Sequence, residues 1–298
     1  WMDGIKKAGM PGLPKLPYQA WLGDWLAPVP ADDYLLWNAF HYRNAALMAK
    51  FAGLLGRKAD MEKYYEEAVR TKEYWNAMFV EKETGRTKNA DGSLCDVQGS
   101  YSVALSCDVF GREYKEKAYA HLARTTEEGN YTVQSGFFGT GPINPMLSEG
   151  GYTEIAQKAM LQTAYPSWLY PVTQGATTIW ERWDSYTHEN GFGGNNSMNS
   201  FNHYSLGSVL SWLYENMLGI QRDEKNPGFK HFILKPEMGA LGFAKGGIDT
   251  PHGRIESAWE KTETGYRYTC TVPENTAATL ILEGNQCELG SGNYTFEI

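Results

Sequence analysis

Three features of this 298-residue sequence predict a mainly α-helical fold, an array of helical hairpins followed by a small antiparallel β-sandwich. Apolar residues recur at helical spacing up to about Gln221, and period-two alternation replaces them afterwards. A hydrophobic fraction of 42 % is enough to bury a sizeable core, and 21 % charged residues is too few for a disordered chain. The length allows one large domain or a medium one with a small companion. The pattern change places the division between residues 1–221 and 222–298.

Residues 1–33 carry Pro11, Pro14, Pro17, Pro28 and Pro30, which would break any helix there, so a long loop is expected. The opening Trp1-Met2-Asp3-Gly4-Ile5-Lys6-Lys7 reads like the middle of a helix, and the chain is expected to be a fragment. Asp32 or Asp33 can cap a first helix that Gly56 closes. A second helix follows from about Asp60, with Met61, Tyr65, Ala68, Trp75 and Phe79 on one face. Helices are then expected over Val97–Phe110, Glu113–Glu128, Ser148–Thr163 and Tyr204–Leu218. Helices joined by short turns read as an array of hairpins. Gly136–Pro142 and Gly175–Asn202 read as the distinctive loops, which in a helical barrel gather at one end and form the pocket. Strands are expected at His231–Pro236, Arg254–Trp259, Tyr266–Val272 and Ala278–Leu282.

Composition excludes several functions. The net charge is −8 with no Lys/Arg run, which argues against nucleic acid and other polyphosphate partners. The Gly-rich stretches match no phosphate-binding loop, and neither a zinc-protease motif nor a serine-nucleophile elbow occurs. No apolar run reaches the roughly 18 residues of a membrane span. Cys95, Cys107, Cys270 and Cys287 have no metal-ligand spacing and make no disulfide scaffold. Cys270 and Cys287 could pair in the β-region, but free buried thiols are expected. Trp 10 and Tyr 19 supply flat rings that suit sugar faces and equally suit a helical core.

Three constellations could carry chemistry. In Thr177–Asp184, Glu181 lies between Trp180 and Trp183 and beside Arg182. Apolar walls raise a carboxyl pKa and a guanidinium lowers it, an opposition common at acid–base sites. A structural ion pair of Arg182 with Glu181 or Asp184 is the alternative. In Trp21-Leu22-Gly23-Asp24-Trp25, Asp24 could bind sugar hydroxyls while a Trp stacks on the ring, or Asp24 could cap local N–H groups. In Asn199–Tyr204, His203 could donate to a substrate hydroxyl or sit in a first helical turn that Ser200 or Asn202 caps.

In order, Gly23-Asp24-Trp25, Ser135–Thr140, Tyr165-Pro166-Ser167-Trp168, Gly175–Glu181, Asn202-His203-Tyr204 with Gly207-Ser208-Val209, and Pro227-Gly228-Phe229-Lys230 resemble the bacterial α-L-rhamnosidases of glycoside hydrolase family 78. The resemblance covers nearly the whole chain. It implies part of an (α/α)6 barrel followed by a C-terminal β-sandwich, and an inverting glycosidase that removes terminal α-L-rhamnose. It makes Glu181 the general base, His203 a sugar contact and Trp25 a pocket wall. Asp24, Trp180, Arg182 and Trp183 are added as substrate-binding residues by adjacency. The family's general acid is a Glu in an Asp/Arg/Glu/Trp-rich motif upstream of residue 1, so this chain departs from the family by omission.

No cofactor or metal is expected, and the expected partner is a carbohydrate. Helix faces meant for burial would be covered by an upstream part of the same protein or by a second copy. Other readings are a trehalase- or glucoamylase-like (α/α)6 enzyme, or an inactive carbohydrate-binding relic. Aryl glycoside panels separate the first, and binding without turnover would mark the second.

Overall fold

Helical hairpins and paired strands divide the chain at Gly207/Ser208, as seen in a computed structural model that describes residues 23–193 and 198–298. Trp1–Lys7, Pro11, Pro14, Pro17 and Trp21 lie outside the described residues.

The first unit is built from α1 (Asp33–Leu54), α2 (Lys58–Phe79), α3 (Gln98–Ser106), α4 (Arg112–Glu128), α5 (Phe137–Glu149), α6 (Thr153–Leu161), α7 (Tyr170–Thr173) and α8 (Tyr204–Gly207). Asp32 caps α1, accepting from Leu35 N at 2.9 Å, and Gly56 follows its end with φ of 72°. The helices α1, α3 and α5 each pack on their successor to make the hairpins α1/α2, α3/α4 and α5/α6. The odd helices also touch one another, α1 on α3 and α3 on α5, with α8 against α5. They form an inner row, and α2, α4 and α6 lie outside it.

Burial follows that layering. In α2, Trp75 and Phe79 are fully buried, and the Trp75 indole donates to Leu35 O at 3.0 Å, tying the hairpin. Met61 and Tyr65, assigned by spacing to the same face, are exposed. In α3 all residues from Gln98 to Leu105 are buried, polar ones included. Their polar groups are satisfied: Gln98 donates to Thr132 O at 2.8 Å and Ser102 to Gly139 O at 3.0 Å.

Two helix boundaries differ from expectation. The Gly136–Pro142 loop is the start of α5, which continues past Pro142 and Pro145 although each lacks the N–H that an interior helical residue donates. Ser148–Thr163 is accordingly the end of α5, a turn and then α6. Tyr204–Leu218 is also discontinuous, split into α8, α9 (Val209–Trp212) and a π-turn over Leu213–Met217.

The second unit holds α9, the π-turn and eight strands. Those are β1 (Ile220–Arg222), β2 (His231–Leu234), β3 (Phe243–Thr250), β4 (Gly253–Lys261), β5 (Tyr266–Val272), β6 (Ala277–Leu282), β7 (Asn285–Leu289) and β8 (Gly292–Glu297). They form two sheets, β1-β2-β6-β7 and β3-β4-β5-β8. Phe232, Leu234, Ala278 and Leu280 from one sheet meet Ile255, Trp259, Tyr268 and Val272 from the other in a single core. Trp259 donates to Met217 O at 2.7 Å and Ser257 to Leu218 O at 2.6 Å, which is why residues 208–219 fold with the strands. Pairing is antiparallel except β2 with β6, because the chain crosses to the other sheet for β3–β5 before returning. All four cysteines are free. Cys95, Cys107 and Cys270 are buried as expected, but Cys287 on the sheet-edge strand β7 is exposed.

Candidate active site

Asp24 organises one wall of the site. Its carboxylate is only 6 % exposed and accepts from three backbone donors at the start of α5: Gly136 N at 2.7 Å, Phe138 N at 2.8 Å and Gly139 N at 2.9 Å. A helix N-terminus presents such unsatisfied donors and favours negative charge. The carboxylate fits only because its neighbours are glycines: a Cβ on Gly99 or Gly139 would stand 2.9 or 2.8 Å from Asp24 Oδ2. One on Gly136 would stand 2.2 Å from the Trp25 carbonyl. Burial pushes the Asp24 pKa up, and the three N–H donors oppose that rise without cancelling it. Asp24 is thus a cap, but one whose donors lie 112 to 115 residues along the chain and not locally as the capping alternative had it, and it is not among the cavity-lining residues.

The opposite wall is two loop segments zipped together. Glu181 N donates to Ser200 O at 2.8 Å, and His203 N donates to Ile179 O at 2.9 Å. Thr178 Oγ1 donates to Phe201 O, and Asn199 donates to Ser185 O at 2.9 Å. Beneath the loop, Trp180 meets Phe201 edge-on at 5.5 Å, and Phe201 meets Phe192 edge-on at 5.6 Å. Trp183 stands edge-on to Trp168 at 5.7 Å, and the Trp168 indole donates to Leu206 O at 2.9 Å. Packed aromatics under a backbone-paired loop hold its carboxylates in place.

Between the walls lies a cavity of about 130 Å³, lined by Leu26, Ser135, Gly136, Phe137, Tyr165, Glu181, Arg182, Trp183, Asp184 and Leu206. Glu181 Oε2 accepts from Ser200 N at 2.8 Å, which fixes the carboxylate and leaves Oε1 with no protein partner among the described residues. Arg182 makes no ion pair with Glu181 or Asp184, and its Nε is buried without a hydrogen-bond partner. The alternative of a structural ion pair is therefore not seen among the described residues, and the guanidinium is left as a donor at the cavity. Burial pushes the Tyr165 phenol up, the nearby negative charge of Asp184 adds to that, and Arg182 counters it.

Of the seven residues proposed from sequence, Glu181, Arg182 and Trp183 line this cavity. Trp180 is buried in the aromatic cluster behind the loop, and Trp25 is half-buried outside the lining, its carbonyl accepting from Phe137 N at 3.0 Å. His203 packs at a tilt against the lining residue Phe137, with ring centroids 4.8 Å apart. Its Nδ1 accepts from Ser205 N at 3.2 Å, so in the neutral ring Nε2 carries the proton and is a donor. Ser135, Phe137 and Tyr165 were not singled out as site residues, although they belong to motifs that carried the family resemblance. Among the described residues no group of His, Cys, Asp and Glu is arranged to hold a metal ion, and no helix is long and apolar enough to cross a membrane.

Comparison with known proteins matches both parts of the chain. The bacterial alpha-L-rhamnosidase 6 hairpin glycosidase domain matches residues 1–217, and the bacterial alpha-L-rhamnosidase C-terminal domain matches residues 219–297. An alpha-L-rhamnosidase of Alteromonas sp. (strain LOR) is 34 % identical over 271 residues, which are 87 % of this chain and 29 % of that protein. One from Formosa agariphila is 34 % identical over 286 residues, 92 % of this chain and 30 % of that protein. Among solved structures, Streptomyces avermitilis alpha-L-rhamnosidase complexed with L-rhamnose superposes with a TM-score of 0.86 at 28 % identity, over 100 % of this chain and 30 % of that one. The native enzyme from Aspergillus terreus gives a TM-score of 0.82 at 30 % identity, over 92 % of this chain and 32 % of that one. The chain thus spans about 30 % of the length of the relatives it matches.

Proposed function

The chain belongs to the bacterial α-L-rhamnosidase family, and we propose that it supplies the base side of an inverting glycosidase site that removes terminal α-L-rhamnose from glycosides or polysaccharides. The observation that carries this reading is Glu181, held at the cavity by one oxygen while its other oxygen has no partner among the described residues.

Inverting hydrolysis needs a carboxylate that takes a proton from water on one face of the sugar and an acid that protonates the leaving oxygen on the other, the two roughly 6.5–9.5 Å apart. Glu181 Oε1 is the acceptor for the water proton. The Ser200 N–H on Oε2 fixes the carboxylate so that its orientation need not be acquired during the reaction. The His203 Nε2–H donates to a sugar hydroxyl, and the Arg182 guanidinium finds its missing acceptors on sugar oxygens. Trp183 and Phe137 offer apolar surface to the rhamnose ring and methyl group. Asp24 positions the Phe137 wall. The paired general acid is not among these residues.

The test is hydrolysis of an aryl α-L-rhamnoside by the full-length protein, with the first-formed sugar observed by NMR. We expect release of β-L-rhamnose, and loss of about 10²–10⁴-fold in kcat for Glu181→Gln at unchanged circular dichroism. Release of the α-anomer would overturn inversion. An unimpaired Glu181→Gln variant would overturn the base assignment, and cleavage of a different aryl glycoside in place of the rhamnoside would overturn the sugar assignment.

A further inference from the structure

We propose that Tyr204 is the platform on which the leaving-group part of the substrate rests, an aglycone subsite just outside the cavity. The inference rests on the glycosidase reading above and deepens it.

Three rings form a ladder that begins in the cavity and ends in solvent. Phe137 lines the cavity. The His203 ring lies against Phe137 at 4.8 Å between centroids and 36° between planes. Tyr204 stacks on His203 at 5.4 Å and 16°. Tyr204 is 82 % exposed, well above the other aromatics around the site, with Phe192 at 52 % and Tyr165 at 48 %. The imidazole overlaps its ring only in part, and most of the Tyr204 surface is exposed.

The imidazole that this ring lies against is held by hydrogen bonds. His203 N donates to Ile179 O at 2.9 Å, next to the Ile179–Glu181 segment that carries the candidate base, and Ser205 N donates to His203 Nδ1 at 3.2 Å. A ring backed by a fixed neighbour loses less freedom when something stacks on it than one standing free. A glycosidase substrate has two parts, and only the terminal sugar enters the cavity. The leaving group must project outward, and the ladder supplies an apolar path there. An aromatic face binds flat apolar surfaces, and its hydroxyl can remain in water. The ligand chemistry is therefore a leaving group with a flat apolar face, which either the C–H face of a pyranose or a planar phenolic ring provides.

The experiment compares three substrates on the full-length protein and on its Tyr204→Ala and Tyr204→Phe variants. They are α-L-rhamnosyl fluoride, whose leaving group has no ring, an aryl α-L-rhamnoside, and a rhamnosyl disaccharide. Tyr204→Ala is expected to lower kcat/KM roughly 3- to 10-fold, mostly through KM, on the ring-bearing substrates, while the fluoride loses less than twofold. Tyr204→Phe keeps the platform and stays near the parent on all three. The disaccharide and aryl arms show which ring type the platform prefers. An equal loss on the fluoride would mean that Tyr204 acts through His203 or the fold, and would overturn the subsite. No loss on either ring-bearing substrate would overturn it as well. If the parent protein cleaves no rhamnoside, the functional reading itself fails, an outcome distinct from both.

Discussion

The two units hide their polar groups in opposite ways. In the sandwich, β4 buries Ile255, Ser257 and Trp259 and exposes Arg254, Glu256 and Glu260, and β5 buries Tyr268, Cys270 and Val272. Every second side chain goes inward, and the one buried hydroxyl on β4, Ser257, finds Leu218 O at 2.6 Å. The helical unit instead buries Gln98, Ser100, Ser102 and Asp24 among its inner elements. Stability in the first case rests on apolar area. In the second it also rests on polar groups whose partners lie far along the chain, such as Asp24 with Gly139, 115 residues apart. A region that builds a site accepts buried polarity, and a region that only packs does not need it.

Trp259→Ala breaks that contrast most severely. The indole is fully buried, stands edge-on to Tyr266 at 5.8 Å and donates to Met217 O at 2.7 Å. Large-to-small changes at such positions cost about 3–5 kcal/mol, a large share of the roughly 5–15 kcal/mol that holds a domain. Urea denaturation should show the loss. Trp259→Phe keeps most of the apolar area and forfeits the hydrogen bond, so it should cost visibly less. Equal costs for the two would mean that the hydrogen bond, and not the packing, anchors the sandwich.

Asp24→Asn is the counterpart in the helical unit and should cost less, about 1–3 kcal/mol, because it retains the shape and one acceptor but turns an NH₂ toward N–H donors at the start of α5. Its pH signature is separate. Burial raises the Asp24 pKa, so the folded state holds that proton more tightly than the unfolded state. Stability then falls as pH climbs from the ordinary carboxyl value of 3.8 toward the raised one, and the Asn variant lacks that decline. Unfolding curves at several pH values between the acid limb and neutrality would show it. Identical pH profiles for the two proteins would mean that the donors hold the carboxylate at its ordinary value.

This difference also explains what could be read from the sequence. The strand runs at Arg254–Trp259 and Tyr266–Val272 were legible because period-two burial is written residue by residue. A family motif led to Glu181, and adjacency to it added Arg182 and Trp183. The start of α5 was not legible: its cap is Asp24, 112 residues before Gly136, so no capping residue sits beside Phe137, and Pro142 and Pro145 argued for a loop. Trp180 and Trp183 flank Glu181 alike in sequence, yet only the second faces the cavity. Which side a loop residue faces depends on its pairing partner, here Ser200–His203, and not on its neighbours.

Cysteine reactivity gives the finest probe of the same contrast. Burial pushes the Cys95, Cys107 and Cys270 thiols up to about 11, whereas Cys287 is exposed on β7. The thiolate is the nucleophile, so at pH 8 the three buried groups are both shielded and protonated. Iodoacetamide should label Cys287 alone within the first minutes, as read by peptide mass. Continued exposure should then order the buried three by the free energy of local opening. Cys95 follows a turn that holds the exposed Leu94 and is tied locally, by its N–H to Thr87 O at 2.9 Å and by Ser100 Oγ on its carbonyl at 2.8 Å, whereas Cys270 sits in the middle of β5 with paired strands on both sides. Cys95 should therefore react before Cys270, and Cys270 only as fast as the sandwich unfolds. The reverse order would place the weaker packing in the sandwich and invert the comparison from which these expectations come.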